Sequence, residues 1–259
     1  MRVFCSDTGI QRIDGAVVTV GSYDGVHFGH RQLLETVMQR AHQQGTQSVV
    51  VTFAPHPRQI LAPDDPVALL NSLPEKLFLL QEAGIDNVIV CRFDLDFARM
   101  PYDRFVREVL VDTVGMKCMV LGYNHHFGSN RKGNFASIEE LSAAYGFVAE
   151  RIERSDVDGQ KVSSTVIRTL ISSGQMHKAN QFLTRPYILI ADVEADGKVV
   201  VSEKDKLLPP AGRYHVAVEV GYGTPESRKF DAVLEVAEQT PRLLASEIQK
   251  MKNAVINFI

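Results

Sequence analysis

Short apolar runs alternate with amphipathic stretches through the first 150 or so residues of the chain, and this alternation sets the fold class. Residues 16–22 (AVVTVGS) form an apolar, β-branched run. After a turn, HRQLLETVMQRAHQQG brings Leu33, Leu34, Val37, Met38 and Ala41 to helical spacing. A second buried strand is predicted at 48–53 (SVVVTF). The proline-rich stretch APHPRQILAPDDP then leads to Ser72-Leu73-Pro74-Glu75, a capping box ahead of the helical segment KLFLLQEAG. NVIV (87–90) and KCMVLG (117–122) read as further strands. YDRFVREVLVDTV between them reads as a helix, and SIEELSAAYG as another, opened by a second Ser-x-x-Glu. Strands alternating with helices predict an α/β fold whose parallel sheet is covered on both faces. Such sheets receive ligands at the C-terminal ends of their strands, so the loops after residues 22, 53, 91 and 122 should converge.

From about residue 187 the pattern changes. YILIADVE, KVVVSE, GRYHVAVEV and FDAVLEV read as short strands joined by Gly, Pro and Asp turns, which predicts a small antiparallel β domain. The closing segment PRLLASEIQKMKNAVI reads as a helix. The expected organisation is a domain over 1–186 and a second over 187–259.

Composition narrows the function. With 45% hydrophobic and 23% charged residues in 259, the chain can bury a substantial core. A net charge of -3 without a basic run argues against long nucleic acids and against an anionic membrane surface. No apolar stretch is long enough to span a bilayer and the N-terminus lacks a secretory pattern, so the cytoplasm is expected. Cys5, Cys91 and Cys118 form no C-x-x-C pair and are read as packing residues.

The segment richest in chemistry is Gly21-Ser22-Tyr23-Asp24-Gly25-Val26-His27-Phe28-Gly29-His30, between the first strand and the first helix. Glycines admit a ligand close to the backbone, and a helix N-terminus offers unpaired N–H groups to phosphate. His27 and His30, in His-x-Gly-His spacing, suit a triphosphate whose charge grows during displacement. The alternatives for an isolated pair are a metal site or plain helix-start histidines, and the glycine frame favours phosphate. Val162-Ser163-Ser164-Thr165-Val166-Ile167-Arg168 opens another helix with hydroxyls and an arginine one turn on. By itself it reads as an ordinary Ser/Thr cap with a surface arginine, and beside His-x-Gly-His it reads as a second phosphate clamp. No G-x-x-x-x-G-K-[ST] is present, and no G-x-G-x-x-G follows a strand.

Five segments, GSYDGVHFGHRQLL, VTFAPHPRQIL, EKLFLLQEAGIDNVIV, VLGYNHHFGSNRKGN and VSSTVIRTLISSGQMHKANQFLTRPY, follow one another between about residue 14 and Tyr187. In order and spacing they resemble the bacterial bifunctional riboflavin kinase and FAD synthetase family. The resemblance implies a Rossmann-like nucleotidyltransferase domain that converts ATP and FMN into FAD and pyrophosphate, assisted by Mg²⁺. It implies that His27 and His30 contact the ATP phosphates, with Gly21, Ser22, Tyr23, Asp24 and Gly29 shaping that loop. Ser164, Thr165 and Arg168 would hold the far phosphates, with His27, His30 and Arg168 as the catalytic set. Pro55, His56, Pro57, Asn124 and Phe127 would lie near FMN. The chain departs from the family at Asn124, where aspartate is common, at Val166, where arginine is frequent, and at Thr184, where glycine is frequent. His125 and His126 stay divided between packing or solvation and a ligand role.

No protein base is required by such a reaction, because a phosphate monoester has its second pKa at about 6 and is largely a dianion at neutral pH. The metal is expected on substrate phosphates and water rather than in a protein cage. Residues 187–259 stand where the family's kinase barrel begins, but ILIADVEADGKVVVSEKDKLLPP lacks the Pro-Thr-Ala-Asn motif that holds Mg²⁺ and ATP there. The second domain is thus expected to be a shortened, degenerate barrel that leaves riboflavin untouched. Two other readings remain: a nucleotide- or flavin-binding protein without turnover, and a cytidylyltransferase-like enzyme with a different phosphorylated acceptor.

Overall fold

The structure, a computed structural model, describes residues 1–123, 128, 133–153, 157, 159–237, 240–245 and 250–259. The chain divides into two compact units, Met1–Val67 with Leu77–Asp156, and Ala68–Lys76 with Val157–Ile259.

In the first unit, β1 (Arg2–Cys5) and β2 (Ala16–Val20) precede α1 (Phe28–Gln43), β3 (Ser48–Ala54) and α2 (Pro57–Leu61). Then come α3 (Leu73–Glu82), whose first four residues count with the other unit, and β4 (Asn87–Arg92). After them follow α4 (Leu95–Arg99), the single turn α5 (Tyr102–Arg104), β5 (Met116–Leu121), α6 (Phe135–Tyr145) and β6 (Val148–Arg151). The six strands form one parallel sheet in the order β1-β4-β3-β2-β5-β6. Burial explains which strands the hydrophobic pattern reveals. All five residues of β2 are buried, as are the first five of both β3 and β4, so each reads as a continuous apolar run. The two edge strands, β1 and β6, bury none of their residues, and neither announces itself in the sequence.

The helix expected at 102–114 is helical, but after α5 it continues as a π-helix over Phe105–Val114, with Phe105, Val106, Leu110 and Val114 buried. It stops at Gly115, whose φ is +87° and whose Cβ would lie 2.9 Å from the Ile13 carbonyl oxygen, so no side chain fits there. The Ser72–Glu75 capping box forms as expected. The second one does not: the helix cap is Asn134, which accepts from the Ser137 N–H, and Ser137 stands inside α6. Asparagine is as good a cap as serine, and Asn134 lies at the start of the apolar repeat.

The second unit contains α7 (Ser164–Ser172), α8 (Met176–Leu183), β7 (Tyr187–Val193), β8 (Val199–Val200), β9 (Gly212–Val220), β10 (Arg228–Ala237), β11 (Thr240–Leu244) and β12 (Met251–Phe258). The antiparallel order is β11-β10-β9-β12-β7-β8, and a bridge between Lys198 and Arg242 joins the two ends into a near-barrel. Its core is shared with Ile167, Ile171, Ala179 and Leu183 from α7 and α8, and with Leu70. Among the described residues of 241–256 the predicted helix is not found, and β11 and β12 lie there instead. Its apparent periodicity has a local cause. A register shift lies between Met251 and Ala254, with Asn253 at φ +47°, so a bulge sets buried Met251, Ala254 and Val255 at three- and one-residue steps that imitate a helix face.

Segment 68–76 is bound into this unit by a buried ion pair. Lys206 Nζ lies 2.6 Å from Glu75 Oε2, the side chains being 0% and 1% exposed. The ammonium also donates to the carbonyls of Leu70 (2.8 Å) and Ile188 (2.9 Å) and lies 4.3 Å from the Tyr187 ring centroid. Glu75 in turn accepts from the N–H groups of Ile190 and Ser72.

Candidate functional site

The sheet order carries the first piece of the site. From β2 the chain runs outward through β3 and β4, then returns to β5 on the opposite side of β2. The crevice at the C-terminal ends of β2 and β5 is therefore the switch point of the sheet, where open α/β folds receive ligands. The glycine-rich loop 21–27 leaves β2 at this point, and the loops after β3, β4 and β5 leave the same edge, as the strand periodicity predicts.

Within the loop the backbone is sharply turned. Tyr23 (φ +48°), Gly25 (φ +92°) and Val26 (φ +38°) all lie in the left-handed region. Such geometry costs a side-chain-bearing residue about 1–2 kcal/mol, which its burial offsets here, since Tyr23 and Val26 are each 1% exposed. The Tyr23 hydroxyl donates to Thr19 Oγ1 at 2.8 Å, and its ring lies 5.1 Å from that of His30. Burial raises its phenol pKa well above the usual range. Tyr23 thus serves the loop as an internal strut, a role its place in the motif does not disclose. Asp24 is 3% exposed.

His27 caps α1, its Nδ1 accepting from the His30 N–H at 3.3 Å. That bond places the ring proton of a neutral imidazole on Nε2, making it a donor. Burial pushes the His27 pKa down to about 4, so the ring is neutral at physiological pH. The two imidazoles stack with centroids 3.8 Å apart and planes 9° from parallel. Gly29 lies in the first turn of α1, and a Cβ there would meet only His27 ring atoms at 3.6 Å, an ordinary contact. No contact among the described residues demands glycine at that position.

At the end of β3, Pro55, His56 and Pro57 form the entry to α2. His56 is its cap, accepting from the Arg58 N–H at 3.2 Å while its own N–H donates to Gln59. Asn124, His125, His126 and Phe127 lie outside the described residues. Ser164, Thr165 and Arg168 belong to the second unit, while Gly21 to His30 belong to the first. Ser163 caps α7 by accepting from the Val166 N–H, which leaves Ser164 and Thr165 as its first two residues. Arg168 is half-buried, with Nε donating to the Ala68 carbonyl at 2.7 Å, so it is tied to the protein and is not a loose surface cation. Among the described residues no three His, Cys, Asp or Glu side chains cluster as metal ligands.

A family model described as FAD synthetase matches residues 10–166, the stretch that holds the switch-point loop and the start of α7. The chain belongs to the FAD synthetase family. Bifunctional riboflavin kinase/FMN adenylyltransferases are among its relatives. That of Haemophilus influenzae is 33% identical over 181 residues, covering 70% of this chain and 59% of its own length. That of Escherichia coli K12 is 32% identical, covering 68% and 56%. The protein of the same description from Pseudomonas fluorescens is 30% identical, covering 80% and 69%. The chain thus spans less than two thirds of the length of the first two relatives. A solved Streptococcus pneumoniae structure described as a macrolide-efflux protein matches with a TM-score of 0.80 over 100% of this chain and 98% of that one. At 22% identity that likeness shows the fold alone. No helix among the described residues is long and apolar enough to cross a membrane.

Proposed function

We propose that this member of the FAD synthetase family is an FMN adenylyltransferase, transferring AMP from ATP to FMN, and that it does not phosphorylate riboflavin. The observation that carries the reading is the stacked, capped histidine pair at the N-terminus of α1, set at the switch point of the sheet. A neutral Nε2–H from His27 beside the free amides of a helix start is an array of fixed donors, suited to charge that accumulates on departing phosphate. In the reaction an oxygen of the FMN phosphate attacks the α-phosphorus of ATP. The bond from that phosphorus to the bridging oxygen breaks, and pyrophosphate leaves with the electron pair. The attacking group is already anionic, so the protein's tasks are to align it and to receive the leaving charge.

His27, His30 and the α1 amides are assigned to the ATP phosphates, with Gly21, Ser22, Tyr23, Asp24 and Gly29 shaping their cradle. Ser164, Thr165 and Arg168 are assigned to the far phosphates, and Pro55, His56 and Pro57 with Asn124 and Phe127 to FMN. Mg²⁺ neutralises phosphate charge when bound. Phosphate oxygens and water make a donor set that this ion accepts. The absence of kinase activity is proposed on the missing Pro-Thr-Ala-Asn motif in residues 188–210. We place the enzyme in the cytoplasm, with small molecules as its partners.

The test is to incubate the protein with Mg²⁺, ATP and either FMN or riboflavin and to follow FAD, FMN and pyrophosphate by chromatography. FAD and pyrophosphate should form from FMN, and nothing from riboflavin. His27→Ala or His30→Ala should lower FAD formation by about 100-fold or more, the loss associated with one preorganised donor. Turnover of a phospho-alcohol with CTP in place of FMN with ATP would redirect the reading to another acceptor.

A further inference from the structure

The ring of Tyr23 is enclosed on several sides by the loop it belongs to. Its hydroxyl is tied to Oγ1 of Thr19, a residue of β2 that is itself fully buried. The ring also lies against Gly21. A Cβ built on Gly21 would stand 3.0 Å from Cε2 of Tyr23 and 3.4 Å from its Cδ2 and Cζ, so any side chain there displaces the ring by a few tenths of an ångström. The Gly21 N–H is engaged as well, donating to the Val51 carbonyl at 3.0 Å. Glycine is thus required at position 21 to seat the tyrosine, and its backbone donor already serves the sheet.

The seated ring meets the histidine pair. It is inclined by 52° to the His30 ring, which stacks on His27 with nearly parallel planes. A stack fixes the plane of a ring and leaves it free to slide within that plane, whereas a further ring set across it blocks the slide. The Tyr23 carbonyl accepts from the Val26 N–H at 3.4 Å, closing the turn that delivers His27 to the start of α1.

We propose that Tyr23 is a positioning residue for adenylyl transfer: seated on Gly21 and tethered to Thr19, its ring holds the His30 imidazole against His27 and so sets where His30 meets the substrate phosphates. It acts through His30 and touches no substrate. The inference rests on the adenylyltransferase reading of the loop. Ring and hydroxyl have separable tasks. The space between Gly21 and His30 confines a phenyl ring of the same outline, so the ring positions the histidine and the bond to Thr19 steadies the loop.

The test is steady-state FAD formation from FMN and ATP with Mg²⁺ by wild type, Tyr23→Leu, Tyr23→Phe, His30→Ala and the double variant Tyr23→Leu/His30→Ala, with folding checked by far-UV circular dichroism. Tyr23→Leu should lower kcat by about 10- to 100-fold, the loss that follows a displacement of about 1 Å at a reacting group, and leave KM for ATP within about threefold. Tyr23→Phe should keep kcat within about threefold of wild type. Added to His30→Ala, Tyr23→Leu should cost less than about threefold more, because residues that act as one unit lose their effect only once. A merely structural role would lower activity by the same factor in both backgrounds. That result, a Tyr23→Leu kcat within about threefold of wild type, or a phenylalanine variant as impaired as the leucine one would overturn the proposal. Should Tyr23→Leu not fold, Gly21→Ala carries the same cycle, lowering kcat about tenfold alone and less than about threefold beside His30→Ala. A raised KM for ATP with unchanged kcat in Gly21→Ala would make that glycine a phosphate contact and overturn the proposal. If wild type forms no FAD, or His30→Ala loses nothing, the adenylyltransferase reading fails and takes this inference with it, an outcome distinct from failure at Tyr23 alone.

Discussion

Replacing Lys206 by methionine should be among the most damaging single changes available in this chain. The side chain is fully buried, and its loss strands the Glu75 carboxylate with two backbone N–H donors and no cation. Breaking a buried pair from one side costs about 3–5 kcal/mol, because the surviving charge is left uncompensated. The carbonyls of Leu70 and Ile188 also lose a donor. Methionine fills similar volume, so the effect is electrostatic and not a cavity. The chain contains no tryptophan, so unfolding is best followed in urea by far-UV circular dichroism. With a slope of about 2 kcal/mol/M for a unit of this size, the midpoint of the affected transition should fall by about 2 M. The double variant Glu75→Gln/Lys206→Met removes both charges and should recover much of the loss, giving a coupling of about 1–3 kcal/mol in the mutant cycle. A midpoint shift below about 0.3 M for Lys206→Met, or a double variant no better than the single, would refute the argument.

Three further outcomes are expected. The folded His27 pKa, about 4, lies below the unfolded value of 6.5, so stability is full above the higher value and falls as pH drops between the two. Wild type should lose about 3 kcal/mol more than His27→Gln from pH 7.5 to pH 4, read from urea midpoints, and the rate profile should show no inflection from His27 near neutrality. Thr184 caps α8 at φ +58°, so Thr184→Gly should stabilise the protein by about 1 kcal/mol in thermal melts, despite the greater freedom glycine gives the unfolded chain. Thiol labelling of the native protein should modify Cys5 alone. Cys91 and Cys118 are buried, and burial raises their thiols to about 12 and about 11, so both should react only after denaturant is added.

The sequence disclosed the interior better than the margins. The central strands β2, β3, β4 and β5 carry unbroken apolar runs, whereas β1 and β6 lie at the edges, bury nothing fully and leave no periodic trace. The expectation that every cysteine packs fails for the same reason, since Cys5 sits on an edge strand. A bulge disguised β12 as a helix, because the period-two signal of a strand is lost wherever an extra residue is inserted. In the site, glycine spacing exposed the loop and its histidines. The inward strut of Tyr23 could not be read, because a tyrosine in a loop carries no sign of a buried partner four residues back on a strand.

The pairing of Glu75 with Lys206 also orders events in time. The partners are 131 positions apart, and at about 5–20 residues per second a ribosome delivers the lysine roughly 7 to 26 seconds after the glutamate. Over that interval residues 68–76 have left the ribosome without the strands they will lie against, with Leu70 and a carboxylate destined for burial still in water. The barrel therefore cannot close during its own synthesis until β12, the strand that joins β7 to β9, has emerged, and its earliest piece, residues 68–76, must wait without those partners until then.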